Sequence, residues 1–237
     1  YIAADGAREN TEGEIEKVKS VRDYVLENIN WDCEVSTLFR ERNLGCKLAV
    51  SDAITWYFQH EEKGIILEDD CLPCQSFFWY CEELLNKYKD DLRIWHIGGC
   101  STILEDMLVN DDSYYFSKYN HIWGWATWAS RWDKYDVHLN DLDDFINSSV
   151  INTVTNNKSL KQFWLTNFEM VKLKKIDTWD YQWYYTVWKN NGLSVLPTLN
   201  MISNIGFGAG ATHTSNDEDK LSNMKAHDLN LPCKYGG

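Results

Sequence analysis

The sequence predicts an α/β domain with a mostly parallel, Rossmann-like central sheet flanked by helices, on three observations. First, the apolar run Gly64-Ile65-Ile66-Leu67 ends in Glu68-Asp69-Asp70, with Pro73 shortly beyond. Such a run reads as a strand buried on both faces, and its acids then lie at the strand's C-terminal end, where open α/β sheets bind ligands. Second, strand and helix patterns alternate through the first hundred residues or so, as βαβ units require. Third, 237 residues without repeat or linker fit one domain with its own core.

Tyr1-Ile-Ala-Ala4 and the turn at Asp5-Gly6 predict the end of a strand. Ile15, Val18, Val21, Val25 and Ile29 recur at helical spacing, and Trp31 to Phe39 carries a second short strand. A polar turn at 40–47 leads to a helix over about 48–60, and the acid-tipped strand follows. Phe77, Phe78, Cys81, Leu84, Leu85 and Tyr88 form the apolar stripe of a helix over 76–89, before a strand at Arg93–Ile97 that Gly98-Gly99 ends. The pattern then changes. Tyr114–Ser117 is strand-like, His121 to Trp128 is an aromatic stretch broken by Gly124, and residues 150–175 look helical. Asp177 predicts the N-cap of a helix running to about Asn190, ended by Asn191-Gly192. Leu193–Leu196 is a short strand, and Asn204 to His213 is rich in alternating glycines. Residues 1–213 are therefore read as the domain and 214–237 as a polar, flexible tail.

Composition excludes some functions. A net charge of −13 argues against nucleic acid or an anionic membrane as the main partner, though not against a nucleotide that a metal holds. No run of eighteen apolar residues and no signal peptide occur, so no transmembrane segment is expected; Tyr1 without a preceding Met reads as a piece of a longer chain. Seven cysteines without framework spacing favour a reducing compartment. The expected location is cytoplasmic, or peripheral to the inner membrane through parts outside this sequence. Cys71-Leu-Pro-Cys74 is a CxxC, but three acids immediately before it raise thiol pKa values and suit redox chemistry badly. No second CxxC exists for zinc.

Three adjacent carboxylates repel one another, and a hard divalent cation facing a diphosphate is the simplest reason to assemble them. A solvated acidic turn is the plain alternative. Asp180 falls where a helix dipole alone would favour a carboxylate. His213 is a metal or diphosphate ligand on the glycine-rich loop, or a surface histidine. Trp123 and Trp125 flank Gly124 and read either as core or as a wall on which a sugar stacks, the glycine leaving room for its approach.

Together Ala4-Asp5-Gly6, Asn43-Leu-Gly-Cys-Lys47, Ile66-Leu-Glu-Asp-Asp70, His121-Ile-Trp-Gly-Trp125, Trp179-Asp180-Tyr-Gln-Trp183 and Asn204-Ile-Gly-Phe-Gly208 resemble nucleotide-diphospho-sugar transferases of the GT-A fold. The resemblance is to bacterial proteins labelled haemolytic-protein-like and, more distantly, to the N-acetylglucosaminyltransferase I group, and it covers roughly residues 1 to 214. It implies an inverting glycosyltransferase that uses Mn²⁺ or Mg²⁺, a nucleoside-diphosphate sugar as donor and a glycan or glycoconjugate as acceptor. Asp70 would ligate the metal, with His213 a further candidate. Glu68 and Asp69 would lie against ribose and the metal's waters. Asp5 would read the base, Arg8 meet ribose or phosphate, and Asn43 and Lys47 lie in the stretch that contacts the nucleotide. Asp180 would be the general base. The family's usual first strand has no counterpart before Tyr1. A metal-dependent phosphohydrolase and an inactive carbohydrate-binding protein are the competing classes; the first leaves the tryptophans without a role, the second the acids.

Overall fold

A computed structural model describes residues 1–102, 111–207 and 223–236. Among these, five strands form the main sheet in the order β3 (Lys63–Ile66), β7 (Trp125–Trp128), β5 (Ile94–Gly98), β8 (Leu193–Pro197) and β6 (Tyr114–Ser117). Only β5 and β8 are parallel; the other three pairings are antiparallel. The prediction of a mostly parallel sheet is thus corrected to a mixed, mostly antiparallel one. The cause is the aromatic stretch: β7 inserts between β3 and β5 and pairs antiparallel with both. This leaves β3 at an edge, only half-buried, rather than in the middle of the sheet.

β7 is buried along its whole length and feeds two cores by alternation. Trp125 faces a cluster built from α2 (Gly45–Phe58), α4 (Ala129–Trp132), α5 (Leu142–Asn147), α6 (Val150–Val154), α7 (Lys158–Lys172) and α8 (Asp180–Lys189). Ala126 and Trp128 face a second cluster formed with α3 (Ser76–Lys87). Helices therefore cover both faces, as predicted, although the single helical stretch expected at 150–175 is two helices.

The first βαβ unit stands apart. β1 (Ile2–Ala4) and β2 (Thr37–Phe39) pair in parallel and form their own two-stranded sheet. The intervening α1 (Glu14–Glu27) buries none of its residues. Arg22 on its inner face donates to the carbonyls of Asp5 (2.9 Å) and Arg40 (2.7 Å), tying the ends of both strands to the helix.

The segment from 223 onward is held to the domain, which corrects the expectation of a free tail for that part. His227 N bonds to Asn200 O, Ser76 N to Asp228, Cys233 N to Glu83, and Ser113 N to Lys234 O. Among the described residues no helix is long and apolar enough to cross a membrane.

Candidate active site

The acids are where the sequence places them, at the C-terminal end of β3. There the chain turns through Glu68, Asp69 and Asp70 into β4 (Cys71–Pro73), which pairs antiparallel with β9 (Ile202–Asn204). This small sheet pins the loop: Ile205 N donates to Asp70 O at 2.9 Å, and the Gly206 backbone lies on the Asp70 side chain. A Cβ on Gly206 would meet Asp70 Oδ2 at 2.2 Å, so only glycine permits this approach.

Asp180 opens α8 and comes from more than a hundred residues away to share the site with the acid loop. Burial pushes the Glu68 carboxyl up to about 7, and the neighbouring charges of Asp70, Asp180 and Asp69 push in the same direction; the Trp179 indole offsets part of this. The Thr178 hydroxyl donates to Asp180 Oδ1, leaving the other carboxylate oxygen for a ligand. Thr178 and Trp179 are buried, and Tyr135 donates to Trp179 O at 2.9 Å, so the approach to α8 is fixed by packing. Asp177 is not the cap of this helix. The N-cap position is Trp179, and Asp177 is an exposed residue whose carboxylate lies against Gly45.

The start of α2 forms the third side. Asp5 accepts the amides of Leu44 (2.9 and 3.0 Å) and Gly45 (3.1 Å), and Asn43 Nδ2 donates to Gly6 O at 2.9 Å. Asp5 therefore caps α2 from β1, a role in holding the frame that the sequence reading did not assign it. Cys46 follows; burial first, then Glu68, Asp177 and Asp180, push its thiol up to about 12. Lys47 is buried, and the charges that bear on it are Asp177, Lys174 and Asp136 rather than the acid loop. Arg8 is paired with Glu14 on the surface. Arg8 and Asn43, with Arg42 and Leu44, line a cavity of about 390 Å³ beside the Asp5-Gly6 turn.

The aromatic wall is half corrected. Trp125 is fully buried, stacked on Trp179 (5.8 Å, 18°) and His96 (5.2 Å, 17°), and is core. Gly124 is buried too: the space beside it is filled by Ile202, whose Cδ1 would lie 2.5 Å from an added Cβ, and its φ of 63° suits glycine. The glycine serves close packing and a left-handed turn, not the approach of a sugar. Trp123 remains half-buried, edge-on to Phe207 at 5.6 Å. His213 lies outside the described residues.

His96 is a residue the sequence reading passed over. It is fully buried in β5, accepts from Trp183 Nε1 at Nδ1 (3.1 Å), and so donates from Nε2 to His121 O (3.0 Å). Burial lowers its pKa to about 3, which keeps it neutral and able to do both. It anchors the start of the 121–124 turn. A histidine inside the apolar run Ile94-Trp-His-Ile97 was the available signal, since a buried ring must partner both nitrogens.

Among the described residues no three His, Cys, Asp or Glu side chains gather closely enough to enclose a cation. Mg²⁺-type sites that bridge to phosphates take only one or two carboxylates from the protein, so Asp70 with one neighbouring acid would suffice to hold such an ion. These carboxylates do not fit zinc, nor does the CxxC: burial pushes Cys71 up to about 12, and all seven cysteines are free thiols. The chain matches no protein-family model and no curated protein.

Proposed function

We propose that this protein is a metal-dependent, inverting glycosyltransferase that moves a sugar from a nucleoside diphosphate to an acceptor hydroxyl. The observation that carries the reading is the convergence of Glu68 and Asp70 on one loop with Asp180 at the start of α8, close enough for their charges to raise the Glu68 pKa together.

Asp70 would hold a divalent cation, which when bound neutralises charge on the diphosphate. The remaining roles belong to the chain. The acceptor oxygen attacks the anomeric carbon as the bond from that carbon to the diphosphate oxygen breaks, and the bonding pair leaves with the diphosphate. The acceptor's proton passes to Asp180, whose free oxygen is oriented by the Thr178 hydroxyl on the other. No covalent nucleophile is required. The cavity beside Arg8, Arg42 and Asn43 offers a place for the nucleoside end of the donor. With Trp125 and Gly124 in the core, Trp123 is the member of the expected wall left to face a sugar.

The burial of Trp125 also weakens the sequence-level objection to a phosphohydrolase, because fewer tryptophans await a role. Turnover of nucleotide sugars with Mn²⁺, with and without a glycan acceptor pool, separates the two. A transferase yields nucleoside diphosphate faster with acceptor and forms a glycoside. A phosphohydrolase yields sugar phosphate or inorganic phosphate whether or not acceptor is present, and that result would overturn the proposal.

A further inference from the structure

Arg8 and Glu14 are joined by more than a single surface ion pair. Glu14 Oε2 accepts the Arg8 backbone N–H at 2.7 Å, and Oε1 accepts from Arg8 Nε at 2.8 Å and from Nη2 at 2.6 Å. One carboxylate therefore fixes both the main chain and the guanidinium of the same residue. The loop between them builds this arrangement. Asn10 (φ 64°) and Gly13 (φ 71°) both take left-handed conformations, and the Glu14 N–H donates to Thr11 O at 3.3 Å. The chain so doubles back that the first residue of α1 meets Arg8.

The partners are unequally covered: the Glu14 side chain is 17% exposed and that of Arg8 67%. The outer edge of the guanidinium, Nη1 included, makes no bond among the described residues. Arg8 lines the cavity of about 390 Å³ together with Glu9, Arg42, Asn43 and Leu44. The opposite wall is held as well. Asn43 Nδ2 donates to Gly6 O at 2.9 Å, and Asp5 accepts the Leu44 amide. The Arg42 backbone lies so close to Gly6 that an added Cβ would meet its carbonyl carbon at 2.4 Å. Of the two arginines in this lining, Arg8 is the one whose guanidinium a neighbour orients among the described residues.

Exposed ion pairs add little to stability, because water competes for both charges. What the Glu14 carboxylate changes is where Arg8 points, and guanidinium N–H groups suit phosphate oxygens. We infer that Glu14 is a positioning residue for donor binding: it holds the Arg8 guanidinium at this cavity, where the free edge of Arg8 meets oxygen atoms of the donor nucleotide. The inference rests on the reading of the cavity as the donor's; the Arg8–Glu14 frame does not.

The sign of the effect separates positioning from plain electrostatics. A carboxylate near an anionic ligand repels it, so charge alone predicts that Glu14→Gln tightens binding. Positioning predicts the opposite. Calorimetry on the full chain, with Mn²⁺ and the diphosphates of uridine, guanosine, cytidine and adenosine, reads which holds. Arg8→Met should weaken the tightest of the four by roughly tenfold or more. Glu14→Gln should weaken it several-fold with the melting temperature unchanged, and so should Glu14→Asp, which keeps the charge but shortens the reach. In the Arg8→Met background Glu14→Gln should change nothing further. A Glu14→Gln variant that binds more tightly or as tightly as the wild type, or that loses affinity equally in both backgrounds, overturns the inference. An Arg8→Met variant that binds as tightly as the wild type overturns it too, while metal-dependent donor binding would stand. A wild type that binds none of the four with Mn²⁺ would overturn the transferase reading and the inference with it.

Discussion

Replacing Glu68 by glutamine tests the crowding of the acids without touching the candidate base. In the fold the Glu68 carboxyl is raised from its ordinary 4.5 to about 7, chiefly by burial and then by Asp70, Asp180 and Asp69. A raised carboxyl stabilises the fold while protonated. That contribution is complete below pH 4.5 and is lost as pH climbs through 7. A gap of about 2.5 pH units at 1.36 kcal/mol each sets the whole effect at about 3 kcal/mol, reduced where the half-buried group keeps water. Between pH 5 and pH 8 most of it should disappear from the metal-free wild type. The amide of Glu68→Gln has no proton to lose, so urea denaturation should show the variant gaining on the wild type by about 2 kcal/mol over that interval. Effects of His96 and other groups cancel in the comparison. Saturating Mn²⁺ should shrink the difference, because a cation on the loop favours the ionised form. A wild type and variant whose stabilities stay parallel from pH 5 to pH 8 would refute the convergence of Glu68, Asp70 and Asp180.

Asp180→Asn should leave the melting temperature and donor affinity nearly unchanged while lowering transfer by roughly a hundredfold or more; an exposed Asp177, no longer a cap, should cost under about 0.5 kcal/mol when replaced by Ala. A rate loss at Asp177 and a stability loss at Asp180 would reverse these roles. The first-formed glycoside, or hydrolysis product, should show inverted anomeric configuration by NMR, and retention would exclude Asp180 as a simple general base. The His96 ring, with a folded pKa of about 3, should show no protonation in NMR between pH 8 and pH 5; because the unfolded ring charges near 6.5, its contribution to stability is lost as pH falls from there toward 3. A ring titrating near 6.5 would show that the 121–124 turn is open to water.

Local chemistry was legible where a few adjacent residues decide it. The apolar run into Glu68-Asp69-Asp70 had to be a strand end, and Ser76–Lys87 had to be an amphipathic helix. The place of β3 was not legible, because it depends on which strand lies beside it. Trp125-Ala-Thr-Trp128 carries its alternation in large and small residues, and nothing local says that it enters the sheet against β3 and β5. The same stretch misled about function. A glycine between tryptophans suggests open space, but Ile202, nearly eighty residues away, occupies it. At α8 the cap signal of Asp177 is real in isolation; the buried Thr178 and Trp179 and the hydroxyl bond to Asp180 move the start of the helix further on. Asp5 shows the converse case. It was singled out as a base-reading residue, whereas the bonds it makes are to the start of α2 and depend on a fold-wide approach of β1 to residue 44.

The central claim is that Asp70 and its neighbours hold a donor diphosphate through a divalent cation, and calorimetry with a panel of nucleoside diphosphates tests it most directly. The wild type should bind one of them with Mn²⁺ and lose that binding on chelation. Asp70→Asn, which removes one charge at nearly constant volume, should weaken it by roughly a hundredfold with the fold intact. Binding that is indifferent to Mn²⁺, or as tight in Asp70→Asn as in the wild type, would contradict the account.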